Sequence, residues 1–193
     1  MTADFSEQRE NDSDKRLLDL FNQHAVFRGK FTLSSGLRSS CYFDGRMLTL
    51  LPEGVYLIGK KVFHILAEAG AEAVGGMTMG ADPIAASVAV VSHLEGRPIP
   101  AFIVRGEVKG HGRHKRIEGP LKKGANVAIV DDVLTTGGSV LRAIEAVEGE
   151  GCQVVKVVVV LDRNQGGSEE LRRRGYDLAT LLSADVEGNV RLS

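Results

Sequence analysis

Val127-Ala-Ile-Val130 is apolar at every position, and it runs straight into Asp131-Asp132 and then Thr135-Thr136-Gly137-Gly138. A strand apolar on both faces needs cover on both sides, the habit of parallel sheets flanked by helices. Runs of strand length recur at Val74 to Met77, Ile99 to Val104, Val154 to Leu161 and Leu178 to Leu182, the last expected as the final strand. Helix-length segments separate them: one opened by Asp82-Pro83 and reaching about Leu94, one from Gly138 to about Glu150, and a short one from Ser168 to Arg174. This alternation predicts an α/β fold with a central parallel sheet and right-handed crossovers.

The first 45 residues break the rhythm. Ser13 reads as the N-cap of a helix through about Phe27, with Leu17, Leu18, Phe21 and Ala25 on its apolar face. Residues 31–44 read as short strands around Ser34-Ser35-Gly36, and Pro52 opens a helix that stops near Gly70. Residues 1–15 are expected to be a flexible polar tail, and 16–193 a single domain in which 16–45 form an appended subdomain.

A net charge of -1 excludes a globally basic protein that coats nucleic acid. No apolar run approaches the roughly 20 residues that span a bilayer, and the N-terminus has no signal-like stretch, so no membrane partner and a cytoplasmic address are expected. The two cysteines, Cys41 and Cys152, are too few for a disulfide framework or a cysteine zinc site and are expected as reduced thiols.

In an open α/β sheet, ligands bind beyond the carboxyl ends of the strands. The two aspartates are expected where the buried strand stops. Behind them, glycines admit close backbone approach, and a helix N-terminus offers N–H groups to a phosphate. Carboxylates would repel that phosphate unless they faced another part of the ligand. A sugar phosphate satisfies both demands: the aspartates accept hydrogen bonds from ribose hydroxyls while the loop holds the 5′-phosphate. The run lacks a Walker A lysine and the glycine spacing of a dinucleotide fingerprint, which argues against an NTPase or a dehydrogenase.

At these residues the chain resembles the type I phosphoribosyltransferase family, whose signature is a strand, two acidic residues and a Thr/Gly-rich loop. The resemblance implies a central parallel sheet flanked by helices, with a small N-terminal hood, and binding of 5-phosphoribosyl 1-diphosphate (PRPP) with Mg²⁺. Three further segments narrow it to the orotate phosphoribosyltransferases. Phe31-Thr-Leu-Ser-Ser-Gly36 with Ser40-Cys41-Tyr42-Phe43-Asp44 resembles the base-covering segment. Arg105-Gly-Glu-Val-Lys109-Gly-His111-Gly112 resembles the mobile catalytic loop, and Leu161-Asp162-Arg163 the strand end that supplies a base-binding arginine. The similarity runs in order from about residue 16 to 186.

By that resemblance, PRPP is expected to meet Arg105, Lys109, His111, Asp131, Asp132, Val133, Leu134, Thr135, Thr136, Gly137, Gly138 and Ser139. Lys109, His111, Asp131 and Asp132 are the catalytic group, with the metal carried by PRPP rather than by a dedicated set of protein ligands. Orotate is expected to meet Arg163, Thr135, Tyr42 and Phe43. An arginine holds a carboxylate by two parallel bonds, which lysine cannot copy. Competing structural roles stand beside these: a salt bridge with Asp162 for Arg163, and simple packing for Tyr42 and Phe43. Residues 105–123 hold seven Lys/Arg against two Glu, a basic glycine-hinged segment suited to a diphosphate. The resemblance further implies a homodimer in which loop 105–119 acts across subunits.

The chain departs from several family members at three positions: Ser34, Gly80 and Gly106 stand where those carry basic residues. Two other functions therefore stand beside the one the resemblance implies, transfer of the 5-phosphoribosyl group from PRPP to orotate to give orotidine 5′-monophosphate and diphosphate in pyrimidine synthesis. They are transfer to another nucleobase, and a PRPP- or nucleotide-sensing regulator that keeps the fold without turnover.

Overall fold

The computed structural model describes residues 2–32, 38–106 and 116–193. Ser34, Lys109 and His111 lie outside them. The chain opens with helix α1 (Thr2–His24), followed by an antiparallel hairpin of β1 (Val26–Thr32) and β2 (Arg38–Phe43) that forms a sheet of its own. Ser13 sits inside α1 rather than capping it. No glycine or proline interrupts 2–24, and a capping preference alone does not stop a helix whose next turn can form. The helix also ends earlier than expected, because Val26 and Phe27 pair with Phe43 and Tyr42. Arg16 grips Glu53 with two 2.7 Å bonds and Lys61 pairs with Asp14, tying α1 to α3 (Pro52–Glu68). The single turn α2 (Arg46–Thr49) lies between the hairpin and α3.

The main sheet contains β3 (Ala73–Met77), β4 (Ala101–Val104), β5 (Ile117–Glu118), β6 (Asn126–Leu134), β7 (Gln153–Asp162), β8 (Leu178–Ala184) and β9 (Val190–Leu192), in the order β5-β4-β3-β6-β7-β8-β9. The five inner strands run parallel, and the short edges β5 and β9 run antiparallel. Strand β8 is therefore not the last. The triplet Val190-Arg191-Leu192 is too short for its alternation to have marked another.

Helices α4 (Asp82–Leu94), α5 (Gly138–Gly149) and α6 (Gly167–Arg173) complete the crossovers. Side-chain alternation divides the core. Val74, Ala128, Val130, Val158 and Val160 face α1, α3 and α4, while Ala73, Val127, Ile129, Val157 and Val159 face α5 and α6. The chain leaves β3 towards β4 but leaves β6 towards β7, so the topology reverses between β3 and β6, where open α/β sheets place ligands. No described helix is long and apolar enough to cross a membrane.

Candidate active site

The expectation that the aspartates mark the strand's end needs correction. Strand β6 continues to Leu134, with Asp131 paired to Val159, Val133 to Leu161 and Leu134 to Asp162. Pairing on the other edge stops at Gly75–Ile129, although β3 itself runs on to Met77 beside β4. The aspartates thus ride on a strand that is supported on one side and open at the switch point on the other.

Asp131 is buried, with 5% of its surface exposed. Its Oδ2 accepts a 2.6 Å bond from the Ser139 hydroxyl and its Oδ1 a 3.1 Å bond from the Asp132 N–H. The Val133 N–H donates to Asp132 Oδ1 at 2.9 Å. Burial pushes the Asp131 carboxyl up from its usual 3.8 to about 7, opposed by the Ser139 bond and reinforced by the neighbouring Asp132. Burial raises Asp132 as well, against the bond from the Val133 N–H and the positive charge of Arg46.

The folded chain holds the Asp131 proton up to about pH 7, whereas the unfolded chain releases it near 3.8. That contribution to stability is complete below the unfolded value and is lost as pH rises through the folded one. Thermal melts of the free protein should therefore show Asp131→Asn losing less stability than the native chain between about pH 4 and 7. Parallel curves would refute the burial argument.

The backbone closes tightly on this pair. A Cβ at Gly80, in the turn after β3, would stand 2.5 Å from Asp132 Oδ1 and 2.6 Å from Asp131 Oδ1. One at Gly45 would stand 2.8 Å from Asp132 Oδ2. The absence of a lysine at position 80 thus has a structural meaning: the space a side chain would enter is filled by the carboxylates. A cation reaches the area from elsewhere. Arg46 is forked onto Asp44 by bonds of 2.9 and 3.0 Å and lines a cavity of about 210 Å³ with Tyr42, Phe43, Gly45, Met79 and Asp132. Sequence reasoning passed over Arg46; its signal was a cation two residues beyond the base-covering segment.

Beyond β6, Gly137 adopts a left-handed conformation (φ 84°) and caps α5, which directs the unpaired N–H groups of the first helical turn towards the loop. The expected phosphate residues divide by role. Thr136 is exposed and Thr135 half-buried, whereas Leu134 is fully buried and its carbonyl accepts the Arg163 N–H at 3.0 Å. The Ser139 hydroxyl points back to Asp131.

Arg163 projects from the end of β7, with its guanidinium 5.2 Å from the Phe43 ring centroid, and partial burial lowers its pKa. It makes no ion pair among the described residues, since Asp162 takes the Ser168 hydroxyl and the Asn164 N–H instead. Phe43 is itself core, against Phe21, while Tyr42 is 38% exposed and packs against Phe27 and Phe31. The structure therefore brings together Tyr42, Phe43, Asp131, Asp132, the 135–139 loop and Arg163. Arg105 stands at the stem of the basic segment in an exposed 3.4 Å pair with Glu118, and its N–H donates to the Arg116 carbonyl.

Residues 88–175 match the family model of the phosphoribosyl transferase domain. The chain is 46% identical to an orotate phosphoribosyltransferase of Aquifex aeolicus over 152 residues, covering 79% of this chain and 83% of that protein. The chain belongs to the orotate phosphoribosyltransferase family. Another family member, from Nostoc sp., is 46% identical over 169 residues, covering 87% of this chain and 79% of its own. A solved structure of the Mycobacterium tuberculosis orotate phosphoribosyltransferase in complex with PRPP superposes with a TM-score of 0.75 at 37% identity, covering 89% of this chain and 96% of that one.

Proposed function

We propose that this member of the family transfers the phosphoribosyl group from PRPP to orotate, giving orotidine 5′-monophosphate and diphosphate for pyrimidine synthesis. The observation that carries the reading is the Asp131–Asp132 pair, the first buried and the second half-buried, set directly before a glycine-capped helix N-terminus at the sheet's switch point. Asp131 and Asp132 accept hydrogen bonds from the ribose hydroxyls, and the N–H groups of 135–139 hold the 5′-phosphate. Thr135 lies between phosphate and base. Arg163 holds the orotate carboxylate, with Tyr42 and Phe43 beside the ring. The bond from the anomeric carbon to the diphosphate oxygen breaks and one to the orotate ring nitrogen forms. Charge therefore develops on the departing diphosphate, where Arg105, Lys109 and His111 act.

Mg²⁺ fits this donor set: two adjacent carboxylates supply only oxygen, beside a cavity of about 210 Å³. When bound, the ion neutralises diphosphate charge. Asp131 and Asp132 are the residues placed to orient the ribose that carries it.

We further propose a homodimer. Exposed Met47, Leu50 (69%) and Met79 (64%), with Leu51 and Pro83, line a groove of about 660 Å³. Asp44, Arg46 and Met79 line both this groove and the cavity beside Asp132, so a second copy seated there would adjoin the site. The same reading treats 16–193 as one catalytic domain working in the cytoplasm, with 16–45 as the hood.

Incubation with PRPP, Mg²⁺ and a panel of bases tests the base assignment. Orotate absorbance should fall only when PRPP is present. Rapid use of another base with no loss of orotate would overturn it.

A further inference from the structure

We infer that the C-terminal turn Asp185–Asn189 positions the base site, holding the Arg163 segment through Asn164 and the Tyr42–Phe43 strand through Gly188. The inference rests on the reading of Arg163 as the group that meets the orotate carboxylate.

The turn connects β8 to β9 and is built by its own bonds. Asp185 Oδ1 accepts the N–H groups of Glu187 and Asn189, each at 2.9 Å, and Asn189 Nδ2 donates to Asp185 Oδ2 at 3.0 Å. The Gly188 N–H donates to the Asp185 carbonyl at 3.1 Å. Asp185, Val186, Glu187 and Asn189 are all exposed, yet Gly188 between them is buried. Its φ of +84° belongs to the left-handed region, and a Cβ there would stand 2.8 Å from Cys41 Sγ and 2.9 Å from Cys41 Cβ. The turn's backbone therefore presses on β2 at the residue before Tyr42 and Phe43, and Phe43 Cζ itself lies 3.7 Å from that Cβ position.

A second contact reaches the other half of the base site. Asn164 follows Arg163 with a φ of +49°, the sole positive value for a non-glycine among the described residues. Its Nδ2 donates to the Ala184 carbonyl at 2.9 Å, at the foot of the same turn, and its N–H donates to Asp162 Oδ1 at 2.8 Å. Arg163 is thus held between the buried Asp162 and an asparagine tied to the turn. The guanidinium of Arg163 and the ring of Phe43 lie against each other, and one rigid turn braces both from behind. Two sequence-distant segments, 41–43 and 162–164, so take their spacing from 185–189. Neither Gly188 nor Asn164 is assigned a ligand contact; each acts as a positioning residue.

The test compares calorimetric affinities for orotidine and uridine 5′-monophosphates, which differ by the carboxylate. Asn164→Gly keeps the left-handed backbone but removes the bond to Ala184, and Gly188→Ala drives a methyl group into Cys41. Asn164→Gly should weaken orotidine 5′-monophosphate about fivefold, the worth of one hydrogen bond. Gly188→Ala should weaken it more, with a smaller loss for uridine 5′-monophosphate, whose ring also lies beside Tyr42 and Phe43; uridine 5′-monophosphate should bind Asn164→Gly, and PRPP both variants, as they bind the native protein. Equal losses for both nucleotides would reduce the turn to a general structural part and overturn the inference, as would native discrimination in both variants. Asn164→Gly adds no atoms and decides alone if Gly188→Ala does not fold. A native protein that binds the two nucleotides alike would remove the Arg163 reading, and this inference with it.

Discussion

Lys109→Ala should lower turnover about a thousandfold while PRPP still binds, since removing one electrostatic contact to a charge that develops in the transition state costs about 10²–10³ in kcat. Lys109 lies outside the described residues, but the place from which its segment departs is fixed. Strands β4 and β5 pair through Ile103–Glu118 and Val104–Ile117, and the Arg105 N–H closes on the Arg116 carbonyl at 2.9 Å. The segment between them leaves and returns at one point. That point adjoins the turn after β3, since a Cβ at Gly106 would lie 3.7 Å from Met77 Cε. Of the cations at the stem, Arg105 is paired with Glu118 and Arg116 with Glu145 at 3.9 Å, and the proposed reading sets Lys109 and His111 beside Arg105 on the diphosphate. Rapid-quench turnover and a PRPP titration separate the two effects. Mixing Lys109→Ala with Asp131→Ala/Asp132→Ala subunits should restore activity if the segment works across a dimer. An unchanged rate in Lys109→Ala would end its catalytic role, and no recovery in confirmed mixed dimers would end the shared-site arrangement.

Arg163→Lys should lower kcat/KM for orotate about a hundredfold, in the range for breaking a buried, hydrogen-bonded charge pair. Lysine keeps the charge and loses the planar fork, so the variant isolates geometry from electrostatics. The competing structural role for Arg163 was a pair with Asp162, and Asp162 is engaged elsewhere, by the Ser168 hydroxyl and the Asn164 N–H. The guanidinium instead rests on Phe43, the described contact that fixes its direction. Steady-state kinetics with PRPP saturating should show the loss mainly in KM for orotate. A change below about twofold would mean that the carboxylate is held elsewhere.

Much of the scaffold was legible because its strands announce themselves. Val127–Val130 and Val157–Leu161 are apolar on both faces, and no other arrangement covers both. The short pieces were not legible: β5 has two residues, β9 three and α2 four, too few for any period to register. The site divides the same way. Asp131, Asp132 and the loop could be read as a unit because their chemistry is contiguous in sequence. Their surroundings could not, since Gly45 and Gly80 reach the carboxylates from distant segments, and only the fold brings them so close that an added Cβ would stand within 3 Å. Likewise nothing in Ser139 marks its hydroxyl as Asp131's partner, and nothing in Gly80 says that its missing side chain is the space the carboxylates occupy. The end of β6 is hidden in the sequence for a related reason: strand length depends on the neighbour, and β7 continues to pair as far as Leu134–Asp162.

Asp131, Asp132 and the loop that follows are proposed to form the phosphoribosyl site. Calorimetric titration of PRPP with Mg²⁺ into the native protein and into Asp131→Asn/Asp132→Asn tests it most directly. The native protein should bind saturably and the variant at least about tenfold more weakly, as expected for losing charged acceptors of two hydroxyl bonds. Equal affinity in a variant that folds and melts as the native protein does would mean that PRPP binds elsewhere.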